Sequence, residues 1–203
     1  MRKVLKRILF CSLPAIIVWG SFLLADREKL NHGLIRFHVV ANSDSETDQT
    51  IKLTIRDVVL DSIQSDLGKI ADIAEAKEYL QQNIPKIQKL VDHTLNELGF
   101  QEGASISLCR EQFDIRHYDT FSLPAGVYDS LRIVIGDGRG KNWWCVSFPT
   151  LCIPATTVGF TDTAVSAGFS KPLVQALTGN EEYEIHFFFL NQLGKLENIL
   201  FQE

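Results

Sequence analysis

The chain has 203 residues, of which 45% are hydrophobic and 22% are charged, so it can form one sizeable domain and is not intrinsically disordered. Its formal net charge is −5, and from residue 26 onward 16 basic residues stand against 25 acidic ones, a balance of −9. This acidic balance makes nucleic acid and anionic lipid surfaces poor partners.

The first 25 residues have the composition of a signal peptide or a short membrane anchor. Four basic residues come first: Arg2, Lys3, Lys6 and Arg7. An uncharged and largely apolar run over residues 8–24 follows them. Because positive charge stays on the cytoplasmic side, we expect the chain after Ala25 to lie outside the cytoplasm. Residues 26–33 are polar and predict a linker, and residues 34–203 then form the exported domain.

The domain begins with a strand pattern followed by a helix pattern. Residues 34–41 alternate, with Ile35, Phe37 and Val39 on one side, which predicts a strand. Turn residues at 42–44 end this strand. Ser45, with an acidic residue three positions later, predicts the N-cap of a helix that runs to about residue 66.

The next segment predicts two more helices and a second strand. Residues 72–83 have a weak helical pattern, and Pro85 breaks or kinks it. A clear apolar stripe over residues 87–98 predicts another helix, with Gly99 placed to end it. Residues 104–113 alternate again and predict a strand.

Residues 130–154 predict a hairpin, in which a glycine turn at residues 136–140 joins two strands. Trp143 and Trp144 are adjacent in the second of these strands, so their side chains must point to opposite faces. One tryptophan can therefore fill the core while the other meets a helix or a partner protein.

The C-terminal part predicts a mobile loop over residues 156–168, a short helix over 171–177, a buried strand over 183–190 and a final helix over 191–201. Together the elements predict one α/β or α+β domain, with a mixed β-sheet and helices packed on it, after the N-terminal signal or anchor segment.

Three cysteines follow the N-terminal segment, at positions 109, 145 and 152. Outside the cytoplasm two of them can pair, and Cys145 with Cys152 is the preferred disulfide because the two are close in sequence. The alternative is that all three are reduced and buried as small apolar side chains. The sequence leaves both possibilities open.

The residues that could carry chemistry do not form a recognisable active site. The histidines are scattered singly, residues 42–53 lack the glycine and glutamate of a calcium loop, and the glycines at 136–140 lead into a strand where a phosphate loop needs a helix. We expect no metal and no cofactor. An aromatic, acidic, exported domain of this kind favours a binding function over an enzymatic one.

Two stretches resemble the stage II sporulation protein R family. The first is IRFHVVANSD at residues 35–44, followed by Asp48-Gln49, Lys52 and Arg56-Asp57. The second begins with Pro124-Ala125-Gly126 and ends in the Asn142-Trp143-Trp144-Cys145 block and Cys152. Residues 156–168 match no pattern of that family.

The resemblance implies a function that composition could not suggest. Members of the family are exported from the forespore of endospore-forming Firmicutes into the space between forespore and mother cell. There they activate a membrane-embedded aspartic protease that processes the pro-form of sigma factor E in the mother cell. The resemblance thus implies a secreted or membrane-anchored signalling protein that is not itself an enzyme and has no catalytic residues.

Eight residues are the candidates for contact with the protease partner: Arg36, His38, Asn42, Ser43, Asp44, Asn142, Trp143 and Trp144. An alternative for these residues is that they only hold the fold, since residues 42–44 could be no more than a turn and a cap. An alternative function is an exported hydrolase acting on cell wall or peptide, with His38 and either Asp44 or Cys145 in its site.

Overall fold

The computed structural model describes residues 2–149 and 157–201. In chain order the strands are β1 (Ile35–Val40), β2 (Ala104–Phe113), β3 (Arg116–His117), β4 (Ser122–Leu123), β5 (Gly126–Ile135) and β6 (Asn142–Phe148). The helices are α1 (Arg2–Gly33), α2 (Glu46–Leu67), α3 (Ile73–Glu97), α4 (Thr157–Ser166), α5 (Lys171–Leu177) and α6 (Glu184–Phe201).

Four strands form a mixed sheet in the order β2-β5-β1-β6, and β3 pairs with β4 in a separate small ribbon. β1 is parallel to β5 and antiparallel to β6, while β2 is antiparallel to β5. The predicted mixed sheet with packed helices in one domain is confirmed.

The predicted hairpin between β5 and β6 is wrong, because β1 lies between these two strands. The glycine segment at residues 136–140 therefore crosses the end of β1. The amide of Arg139 donates to the carbonyl of Asn42, and the amide of Gly140 donates to the carbonyl of Ala41. The local turn signal was correct, but a turn sequence does not say which strand the returning chain will pair with.

One face of the sheet is covered by α2 and α3. Ile55, Val59 and Leu80 are fully buried there against Phe37 and Ile133. Burying an aliphatic side chain of this size contributes about 1.5–3 kcal/mol. The predicted cap at the start of α2 is confirmed, since the Asp48 amide donates to the Ser45 hydroxyl over 3.1 Å. This layer holds the alternating apolar side chains of β1 and β5.

The other face carries a second core at one end of the sheet. Leu30 and Leu34 pack there with Tyr128 of β5, Phe160 of α4 and Leu190 of α6. The α6 helix contacts the first residues of β5 and the last residues of β2, and the α1 helix contacts β5. Among the described residues, no helix packs on the opposite end of the same face.

The segment 26–33, predicted as a linker, is instead the last part of α1 and belongs to the domain. Arg27 and Asn31 are 4% exposed and Leu30 is fully buried. Glu197 of α6 accepts hydrogen bonds from both polar side chains. The polar composition reflects these specific pairs. No helix within the described ranges combines the length and apolar character needed to cross a membrane.

Two predictions for the C-terminal part are also wrong. Most of the segment predicted as a mobile loop forms α4, in which Phe160 and Ala164 are buried. The predicted strand at 183–190 is helical and continues as α6. Its aromatic run suggested a buried strand, but Phe188 and Phe189 are exposed on the outer side of a helix. β-propensity is a weak guide where tertiary packing decides.

The two helices predicted on either side of Pro85 form the single helix α3, so the predicted break at Pro85 is wrong. Gly99 has a φ of 72°, as predicted for the residue that ends a helix, and the amide of Phe100 donates to the carbonyl of Leu95. This tight ending turns the chain directly into β2.

Candidate functional site

Within the described ranges, the second face of the sheet is exposed where the α1 and α6 helices do not reach. The register places Ser107 of β2, Arg132 of β5, His38 of β1 and Trp144 of β6 in one row across all four strands. We call this region the open sheet face, and it consists of Ser105, Ser107, Arg132, Asn142 and Trp144 with His38 beneath them. Ser105, Ser107 and Asn142 are exposed, and the side chain of Arg132 is 42% exposed.

His38 is the centre of this region and is held by partners on three sides. Its Nδ1 lies 3.0 Å from the Glu111 carboxylate, and its Nε2 lies 2.9 Å from the Asn142 side-chain oxygen. Its ring stacks on Trp144 with centroids 5.6 Å apart. Each ring nitrogen of His38 therefore lies within hydrogen-bond distance of a side-chain oxygen, so the ring is fixed at both ends.

Glu111 supplies the negative charge of the site. Burial alone would raise the pKa of this carboxyl, but the hydrogen bond from His38 and the nearby positive charges outweigh it, and the pKa lies below its ordinary value. The guanidinium of Arg132 is 3.7 Å from the same carboxylate. The carboxylate therefore stays ionised and fixes one histidine and one arginine on the open sheet face.

Trp144 stacks on His38 and also carries a cation on its ring. The guanidinium of Arg116, from β3, lies 3.5 Å from the centre of the indole ring. The ring is half-buried, so part of it remains available to solvent. Stacked arginine and tryptophan side chains are typical of the residues that dominate protein–protein interfaces.

Arg36 lies below this surface. It is fully buried, donates to the carbonyl of Cys145 and to the hydroxyl of Tyr118, and sits 4.2 Å from the ring of Phe113. Of the residues predicted for partner contact, Arg36 therefore lies in the core and holds β1 to β6 and to the ribbon.

Residues 42–44 hold the glycine segment against the end of β1. The Asn42 side chain donates to Asp48 and accepts from the amide of Asp137, and Asp44 accepts from the amide of Lys141. Ser43 donates to the same Asp48 carboxylate. These contacts favour the reading in which Asn42, Ser43 and Asp44 build a turn.

The glycines opposite this turn are required by close approach. A Cβ at Gly140 would lie 2.2 Å from the carbonyl oxygen of Ser43, and one at Gly136, whose φ is 55°, would lie 2.4 Å from the Asn42 side-chain oxygen. A side chain at either position would push the loop away from β1.

The two tryptophans point to opposite faces, as predicted. Trp143 packs edge-to-face on Phe37 with ring centroids 5.8 Å apart, and the guanidinium of Arg56 lies 5.0 Å from its ring. Trp143 therefore joins the core beneath α2, while Trp144 belongs to the open sheet face. Only His38, Asn142 and Trp144 of the eight predicted residues meet at that face.

The residues of the alternative hydrolase are not brought together. His38 pairs with Glu111 and Asn142, whereas Asp44 bonds to the amide of Lys141 beyond the end of β1. Cys145 aligns with Phe37 on the opposite side of the sheet from His38. Among the described residues no group of three or more histidine, cysteine and acidic side chains could hold a metal ion.

The predicted disulfide stays a prediction. Cys145 is 6% exposed. Cys152 lies outside the described residues, so its position relative to Cys145 is not defined.

Sequence reasoning missed Glu111, Arg116 and Arg132. Glu111 lies 73 positions from His38 in the chain, and no local spacing links the two. Arg132 had a usable signal, because it is a charged residue within an otherwise apolar strand pattern. Arg116 and its ribbon gave no periodic signal, since each strand of that ribbon has two residues.

Comparison with known proteins gives a consistent result. Residues 31–157 match the family model described as stage II sporulation protein R. A curated relative, Stage II sporulation protein R of Bacillus subtilis (strain 168), is 36% identical over 118 residues, which is 58% of this chain and 53% of the relative. The match thus spans about half the length of that relative. No solved structure matches significantly.

Proposed function

The chain belongs to the stage II sporulation protein R family, and from this premise we propose that it is the exported signal that activates a membrane-embedded aspartic protease during sporulation. That protease then processes the pro-form of sigma factor E in the mother cell. In this proposal the chain crosses the forespore membrane by means of its N-terminal segment and acts in the intermembrane space, either released or still anchored.

The observation that carries the proposal is the open sheet face inside the matched region. A half-buried tryptophan with an arginine on its ring, next to a partly exposed Arg132, has the composition of an interface hot spot. The buried pair beneath it, His38 and Glu111, holds these side chains in place. A partner that offers an apolar side chain and a carboxylate would fit this surface.

The same geometry favours recognition over catalysis. In hydrolytic triads the second ring nitrogen of the histidine accepts the proton of a hydroxyl or a thiol, which then becomes the nucleophile. Here the Nε2 of His38 faces the side-chain amide of Asn142, which cannot act as a nucleophile in that role. In this proposal His38 supports a recognition surface, and the catalytic aspartates are those of the partner protease.

A reconstitution experiment tests the proposal. The full chain is exported from a non-sporulating host that also makes the protease and the pro-form of sigma factor E, and cleavage is followed by immunoblot. We expect cleavage only when all three proteins are present. Absence of cleavage, with the chain folded and exported, would contradict the proposed role.

A further inference from the structure

The α6 helix has a second apolar side that is largely exposed in the part of the chain that the structure describes. Its inner side packs closely, since Leu190 is fully buried and a Cβ at Gly194 would collide with the carbonyl oxygen of Ala125. The outer side carries six exposed apolar residues at helical spacing: Ile185, Phe188, Phe189, Leu196, Ile199 and Leu200. An apolar surface of this size on an exported domain marks an interaction site.

This outer side is continuous with the exposed part of α1. Trp19 packs edge-to-face on Phe189 with ring centroids 5.1 Å apart. Further along, Asp26 accepts from His186 over 2.9 Å, and Arg27 pairs with Glu197. The two helices are therefore in contact, and the exposed apolar residues of α1 meet those of α6 at Trp19 and Phe189.

The sequence and exposure of α1 indicate what covers this shared apolar surface. Leu13, Ile16 and Phe22 are more than half exposed, and they lie in the run of residues 8–24 that carries no charge. Four basic residues precede that run. This pattern is typical of a segment that meets a lipid bilayer, and whatever covers it also reaches α6.

The orientation follows from the charges around α6. Three glutamates precede the first apolar turn of α6: Glu181, Glu182 and Glu184. Trp19 of α1 lies near this end of α6, next to His186. Inserting the start of α6 into the hydrocarbon region would carry these carboxylates with it, which is costly. A pair that lies flat keeps them in water, with the tryptophan and phenylalanines at headgroup level, where aromatic rings are favoured.

We propose that the outer side of α6 is a membrane seat, which lies flat in the interface of a zwitterionic bilayer beside α1. The inference rests on the membrane segment of the proposed function and adds a second contact that remains with the domain. The seat would hold the open sheet face at a fixed height and tilt relative to a partner embedded in the same membrane.

Depth-dependent quenching in phosphatidylcholine vesicles tests the seat. A fluorescent amino acid is placed singly at Ile16, Phe188, Leu200 or Lys69 of the full chain, and nitroxide lipids with the label near the headgroups are the quenchers. Lys69 is the control because its side chain is 72% exposed and lies on a loop after α2. We expect quenching at positions 16, 188 and 200 to a similar extent, and a loss of less than one tenth of the signal at position 69, of the order expected from collisions in bulk.

The other outcomes overturn the seat in distinguishable ways. Quenching at position 16 alone would leave the membrane segment in place and refute the role of α6. No quenching at any position, with a native circular dichroism spectrum, would remove both the seat and the anchor while leaving protease activation to its own test. Energy transfer between copies labelled at position 200 in place of quenching would identify a second copy as the occupant.

Discussion

The Nδ1 of His38 lies 3.0 Å from a carboxylate oxygen of Glu111, and the two side chains are 10% and 15% exposed. The histidine comes from a central strand and the glutamate from an edge strand, so the pair spans the sheet through β5. This relationship links fold and function, because the same histidine supports Trp144 from below. Loss of the pair should therefore lower the stability of the fold and also change the position of Trp144 on the surface.

Removing the carboxylate should be costly. We expect Glu111→Ala to lower the free energy of unfolding by about 3 kcal/mol, because it leaves a buried histidine without its charged partner. In a domain of this length that corresponds to a fall in Tm of about 6–12 °C. Urea denaturation followed by circular dichroism measures it. The matched control is Glu102→Ala at an exposed position, which should change the free energy by less than about 0.5 kcal/mol.

The loss of folding stability at acidic pH should depend on Glu111. Its folded pKa is held below the ordinary value of 4.5, so the folded state binds this proton less readily than the unfolded state. The stabilisation is then fully present above the unfolded pKa and is lost as pH falls through the lower folded pKa. We expect urea midpoints of the wild type to fall more steeply below about pH 4.5 than those of Glu111→Gln. Parallel curves for the two proteins would contradict this.

A side chain at Gly140 should disturb the junction of β1 and the glycine segment. The added Cβ would meet the Ser43 carbonyl at 2.2 Å, and backbone atoms cannot yield as a flexible side chain can. We expect Gly140→Ala to cost about 1–3 kcal/mol of unfolding free energy. Gly20→Ala in α1 is the control, because no atom lies within 4 Å of its Cβ position. Equal thermal stability of the two variants would mean that the glycine segment is not closely packed against the end of β1.

The packing of α6 on the domain can be tested separately from its outer side. A Cβ at position 194 would overlap the carbonyl of Ala125, so Gly194→Ala should push α6 away from the start of β5. We expect proteolytic cleavage within α6 at least several-fold faster than in the wild type, while the core beneath α2 and α3 stays protected. Leu196→Gln, on the exposed outer side, should leave the rate of cleavage in solution unchanged.

The parts of the fold that sequence predicted correctly depend on local rules. Ser45 caps α2, Gly99 ends the helix before β2, and the adjacent Trp143 and Trp144 separate to the two faces. Each of these follows from backbone geometry within a few residues, so no knowledge of distant contacts was needed.

The parts that sequence missed depend on contacts between distant segments. The insertion of β1 between β5 and β6 is a question of topology, and the turn at residues 136–140 fits either arrangement. The polar residues Arg27 and Asn31 read as a linker because Glu197, their partner, lies more than 160 positions away. The pair of His38 and Glu111 was hidden for the same reason.

The central claim is that the open sheet face contacts the protease, and a steric block tests it most directly. Ser107 is exposed on that face, and Ser65 is exposed on α2, which covers the other face of the sheet. In the reconstituted system we predict that Ser107→Trp abolishes processing of the sigma factor, while Ser65→Trp processes at the wild-type rate, with both variants exported and melting like the wild type. Full processing by Ser107→Trp would contradict the claim and place the contact on another surface.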